Sequence, residues 1–109
     1  MMKSYTTIEQ SKKLLELGLK PETADMCYHE HTAYIDGTPK VGYKVGVTDG
    51  IPCWSIGALL ELMPGYEIIK CVDSIEIGCK NYALKTEWSE TLVDIAVDMV
   101  CWLLQNKQI

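Results

Sequence analysis

Cys27, His29 and His31 are the residues of this chain whose types and spacing come nearest to a metal site. If they lie on a strand, these alternate side chains project from one face, about 6 to 7 Å apart. Thiolate and imidazole are ligands that zinc and copper bind, so the spacing suits one shared ion. A closed structural site needs a fourth ligand, which the sequence does not identify. The alternative is a strand that carries two ordinary, partly exposed histidines.

Cys53 is a second candidate for chemistry because it precedes a segment with helical periodicity. A helix N-terminus can lower a thiol pKa and so produce a nucleophile, with a strand-borne histidine as its base. The surrounding residues match no protease or hydrolase pattern. A buried structural cysteine beside Trp54 is the simpler interpretation, and Ser55 is expected to cap the helix rather than to act as a nucleophile.

Phosphate and dinucleotide cofactors have no support in the sequence. It contains neither Gly-x-x-x-x-Gly-Lys nor Gly-x-Gly-x-x-Gly, and no calcium loop. Asp94 and Asp98 lie one helical turn apart, but a solvated stripe opposite an apolar face explains them without a metal ion. We therefore expect no cofactor.

Aromatic residues support two binding hypotheses. Tryptophan is a frequent anchor at protein interfaces, and the candidates are Trp54, Trp88 and Trp102, although three tryptophans in one core would give the same sequence pattern. The other hypothesis is a pocket between two subunits that sequesters a small molecule such as a nucleotide signal. Its candidate lining residues are Tyr28, Tyr34, Tyr43 and Trp88.

Residues 89–108 predict a helix of about five turns with Ser89 as its N-cap. Its apolar residues are Leu92, Val93, Ile95, Ala96, Val97, Met99, Val100, Trp102, Leu103 and Leu104. Those left to face water are Glu90, Asp94, Asp98, Cys101 and Gln105. A helix apolar over so much of its circumference is deeply buried or pairs with another surface. We therefore expect a homodimer, with this helix or the Trp54 region at the contact.

Two further helices are predicted from their end signals. Thr6 and Glu9 form a capping box that begins the first helix, and Gly18 ends it. Ser55 begins the second, which continues through Met63 before Pro64 and Gly65.

The remaining segments have strand character. The predicted strands are residues 27–35 and 41–47, joined by turn residues 36–39, then 66–71, 74–79 and the third candidate 81–88. Residues 49–52 are expected to break the sheet between these two groups. The predicted fold class is α+β, with an antiparallel sheet of about four to five strands and three helices packed mainly on one face, in the order α-ββ-α-ββ(β)-α.

Composition indicates one folded domain over residues 1–109. The chain is 48% hydrophobic and 23% charged, which is typical of a globular protein. Its net charge of −5 argues against nonspecific binding to nucleic acid.

Targeting signals are also informative. The longest uncharged apolar run, residues 99–104, is far shorter than the roughly 20 residues of a membrane span, and the start lacks a signal-peptide apolar region. Five cysteines without a Cys-x-x-Cys pair indicate reduced thiols. We expect a cytoplasmic protein that contacts no membrane.

Four segments carry a recognisable pattern: residues 5–18 (YTTIEQSKKLLELG), 24–26 (ADM), 51–64 (IPCWSIGALLELMP) and 100–104 (VCWLL). Together they resemble a group of small uncharacterised proteins of gut bacteria, their phages and mobile elements. That group has no assigned activity, and its pattern has Ala at the position of Cys53, which weakens a nucleophilic role there. The resemblance implies a phage or mobile-element accessory protein that binds a host protein or sequesters a small signalling molecule.

The sequence therefore favours a small noncatalytic binding or interaction protein that forms a homodimer. The alternatives are the small-molecule sponge with an intersubunit pocket, and a small metal-binding protein or enzyme that uses Cys27, His29, His31 or Cys53.

Overall fold

The computed structural model describes residues 4–29, 40–43, 50–86 and 90–109, and for His29 and residues 40–43 it describes the backbone alone. The elements are α1 (Ile8–Glu16), a 3-10 turn (Pro21–Thr23), β1 (Met26–His29), β2 (Lys40–Tyr43), β3 (Ile51–Cys53), α2 (Ile56–Glu61), β4 (Glu67–Lys70), β5 (Ile75–Cys79), β6 (Tyr82–Lys85) and α3 (Leu92–Gln105). The α+β class is confirmed. None of the described helices is both long enough and apolar enough to cross a membrane.

Helix α1 begins one residue later than predicted. Thr7 is the N-cap, and its capping box is completed by Gln10 rather than by Glu9. The reason is that the preceding residue, Thr6, extends alongside residue 54, where its backbone N–H donates to the Trp54 carbonyl at 2.9 Å. The predicted stop is confirmed, because Gly18 has a φ of 98°, the left-handed conformation common after a helix end.

The other two helices also begin at capping residues. Ser55 caps α2 as predicted, since its Oγ accepts a hydrogen bond from the Ala58 N–H at 3.2 Å. Helix α3 starts at Thr91 with a capping box formed by Asp94. Ser89, the predicted cap, lies outside the described residues. Each cap satisfies an N–H group that has no partner inside its helix.

The strands form two three-stranded antiparallel sheets, in the orders β2-β1-β3 and β4-β5-β6. The prediction of one sheet with four to five strands is therefore wrong for the described residues. Residues 49–52 were expected to break the sheet, yet Ile51 and Pro52 belong with Cys53 to β3, which pairs with β1 and places Cys27 opposite Pro52. Proline is tolerated there because β3 lies at the edge of the described sheet.

The second sheet is a simple meander. Strands β4 and β5 are joined by residues 71–74, and β5 and β6 by Lys80 and Asn81. Both of these turn residues have positive φ angles, 53° and 66°, which match the right-handed twist of a tight hairpin. This half of the chain agrees with the prediction of successive strands before the last helix.

Helix α3 is the centre of the hydrophobic core. It packs against α1, α2, β5 and β6, and eight of its residues are buried. Cys101, which was expected to face water, is only 5% exposed. Helix α1 lies against α3, as the hydrogen bond from Gln10 Nε2 to Asp94 Oδ1 at 2.9 Å shows. The wide apolar surface of α3 is thus used mainly within its own chain.

Candidate interaction surface

The proposed metal ligands are only partly described. Cys27 lies on β1 and is fully buried, and His29 is the last residue of the same strand. The side chain of His29 and the whole of His31 fall outside the description. Within the described part of the chain, no three His, Cys, Asp or Glu side chains form a group that could hold a metal ion. The shared site of these three residues stays a prediction.

Buried polar groups meet around Thr6, where the chain before α1 crosses the end of β3. The Thr6 and Ser11 hydroxyls lie 2.8 Å apart, and the Trp54 N–H donates to Thr6 Oγ1 at 3.1 Å. Two further groups donate to the Thr6 carbonyl oxygen: the Tyr28 hydroxyl at 2.6 Å and the Cys53 thiol at 3.4 Å. We call these five residues the Thr6 cluster; its polar groups bond one another.

The Thr6 cluster does not favour nucleophilic chemistry. Burial raises the pKa of the Cys53 thiol, although hydrogen bonds from Thr6 and Tyr28 act in the opposite direction. Burial, followed by the charges of Cys53 and Tyr5, also raises the pKa of Tyr28. A reactive cysteine needs a lowered pKa, so these surroundings keep Cys53 as a neutral thiol at neutral pH.

Trp54 is a core residue and offers no surface to a partner. Its side chain is 0% exposed, and its indole Nε1 donates to Thr23 Oγ1 at 2.9 Å. The next residue, Ser55, bonds Asp25 through both its backbone N–H, at 3.0 Å, and its hydroxyl. The prediction of Trp54 as an interface anchor is therefore wrong. Trp54 and Ser55 instead link the start of α2 to residues 23–25.

The other aromatic candidates divide between the core and undescribed segments. Trp102 is half-buried, and its ring stacks on Tyr82 with centroids 4.4 Å apart. Tyr28 is buried, with its ring edge-on to Tyr5 at 6.4 Å and its hydroxyl bonded to Thr6. Trp88 and Tyr34 lie outside the described residues, and Tyr43 belongs to β2 without a described side chain. The predicted tyrosine pocket therefore stays a prediction, because most of its lining side chains lie outside the described residues.

Exposed apolar side chains cluster at β4 and the turn after it. Tyr66 is 42% exposed, Ile68 41% and Ile69 50%, and Val72 is fully exposed. We call these four residues, together with strand β4, the β4 surface. Ordinary monomers rarely expose several large apolar residues side by side, so this group is a candidate interaction site.

Strand β4 is apolar on both faces and has an open edge. Ile68 lies opposite Ile77, whose buried side chain packs in the core with α3, whereas Ile69 lies opposite Glu76 on the other face. β5 pairs with one side of β4, and no described strand pairs with the other. An exposed edge of this kind can pair with a strand of another chain.

This surface was missed at the level of sequence. The strand predicted at residues 66–71 is present as β4, but the predicted pattern did not identify it as an exposed edge. The available signal was the neighbouring pair Ile68 and Ile69, since two adjacent apolar residues on a strand must point to opposite faces.

A shallow cavity of about 340 Å³ lies beside the β4 surface. It is bounded by the turn 71–74 and by the residues that begin α3, Thr91 and Leu92. The Ser74 hydroxyl in its wall is buried and, among the described side chains, has no hydrogen-bond partner. The cavity is at the small end of the range for ligand sites, and it extends the β4 surface toward α3.

Comparison with known proteins finds no family model, no curated protein and no solved structure that matches this chain.

Proposed function

We propose that this protein is a small noncatalytic interaction protein, and that the β4 surface is where it binds another protein chain. The observation that carries the proposal is the grouping of Tyr66, Ile68, Ile69 and Val72 on an unpaired edge strand. Burying this apolar surface against a partner would remove it from water, which is the main driving force of protein association.

Strand addition is the mode of binding that this surface suits. A partner strand would bond the open backbone edge of β4, while its side chains contact Ile68 on one face and Ile69 on the other. Backbone hydrogen bonds then supply affinity, and the two isoleucines supply selectivity for apolar residues in the partner.

The noncatalytic part of the proposal is supported by the state of the reactive groups. The polar members of the Thr6 cluster already bond one another. Burial raises the thiol pKa of Cys53, Cys79 and Cys101, which disfavours the reactive thiolate in each. No group in this set is poised for nucleophilic attack.

The setting of the interaction comes from the resemblance alone. The four segments that resemble proteins of gut bacteria, phages and mobile elements support the proposal of an accessory protein, whose partner would be a host protein or a second copy of the chain. A cytoplasmic location is part of the same proposal.

A pair of matched lysine variants tests the proposal. Ile69→Lys places a charge on the open edge strand β4. Ala83→Lys places a charge on the same face of the sheet, at an exposed residue of β6. Proteins retained by the wild-type chain from extracts of its source cells are purified, and their binding to each variant is then measured by calorimetry. We expect Ile69→Lys to weaken binding by at least about tenfold, with Ala83→Lys unchanged.

The proposal fails if no chain, a second copy included, binds the wild-type protein. It also fails if both lysine variants bind a purified partner as tightly as the wild type does, because the contact would then lie elsewhere.

A further inference from the structure

We draw no further inference here: the strongest candidate, the edge of β4 that no described strand pairs, belongs to the β4 surface already described, and nothing in the structure shows which chain covers it.

Discussion

The two sheets of this protein differ in which side chains they bury and which they expose. Beside the first sheet, the Thr6 cluster buries hydroxyl and thiol groups and bonds them to one another. At the edge of the second sheet, the β4 surface exposes apolar side chains to water. The hydroxyl and thiol groups, which could have taken part in chemistry, therefore stabilise the fold. The candidate interaction surface is formed instead by apolar side chains.

The same contrast appears when the four segments on which the proposed resemblance rests are compared with β4. Residues 5–18, 24–26 and 51–64 contain four of the five residues of the Thr6 cluster, all except Tyr28, and the bond between Asp25 and Ser55. The exposed residues 66–72 lie outside all four segments. These segments therefore contribute mainly to the fold.

The largest expected effect on stability is at Trp54, which directly follows β3 of the first sheet. Trp54→Ala removes a fully buried indole together with its hydrogen bond to Thr23, so it should lower the free energy of unfolding by about 3 to 5 kcal/mol. Urea unfolding followed by circular dichroism measures this change. The half-buried Trp102 is the matched control, and Trp102→Ala should cost less. An equal loss for both would contradict the difference in burial between Trp54 and Trp102.

A smaller effect should come from pH. The folded-state pKa values of Cys53 and Tyr28 are raised, so unfolding releases protons in alkaline solution. The stability that these groups contribute is fully present below the ordinary thiol pKa of 9.0 and is lost as pH rises through the folded values. Urea unfolding between neutral pH and pH about 10.5 tests this, since thiols and phenols titrate within or near that range.

The control for this effect is the pair Cys53→Ser and Tyr28→Phe. Each variant lacks one of the two titrating groups, so its stability should fall less steeply with pH than that of the wild type. A wild-type stability that is flat or rises in alkaline solution would contradict the burial of Cys53 and Tyr28.

The smallest expected effect on stability is at the β4 surface. Ile69→Lys replaces a side chain that is half exposed and opposite Glu76, so the monomer should keep its unfolding free energy to within about 0.5 kcal/mol. Measurements at low protein concentration separate this value from any effect on association. A loss comparable to that of Trp54→Ala would show that β4 belongs to the core and not to a binding surface.

Much of the local structure could be predicted from the sequence, and the errors have physical causes. Both Thr6 with Glu9 and Thr7 with Gln10 fit a capping box, and only the tertiary bonds of Thr6 to Ser11 and Trp54 decide between them. Likewise, helical periodicity placed Cys101 on the solvent side of α3, because it could not include α1 packed over that side.

Strand partners were harder to predict than strands. Local patterns identified the meander of residues 67–85 but could not assign residues 51–53 to β1, since pairing depends on segments far apart in sequence. For the same reason, local patterns could not predict the β4 surface. Whether Ile68 and Ile69 are buried depends on β4 being an edge strand, and edge positions follow from strand order rather than from composition.

The segment of residues 4–6 controls the access of solvent to Cys53. Residues 4–6 are bonded to residues 54–56 through the pairs Thr6 N–H to Trp54 carbonyl and Ile56 N–H to Ser4 carbonyl, at 2.9 and 3.1 Å. These bonds close a loop of about 50 residues. The bonds of Thr6 to Ser11, Tyr28 and Cys53 hold the same segment, so its release must break all of them together. Cys53 lies directly beneath it. The rate at which a thiol reagent modifies the buried Cys53 should therefore report how often residues 4–6 separate from residues 54–56.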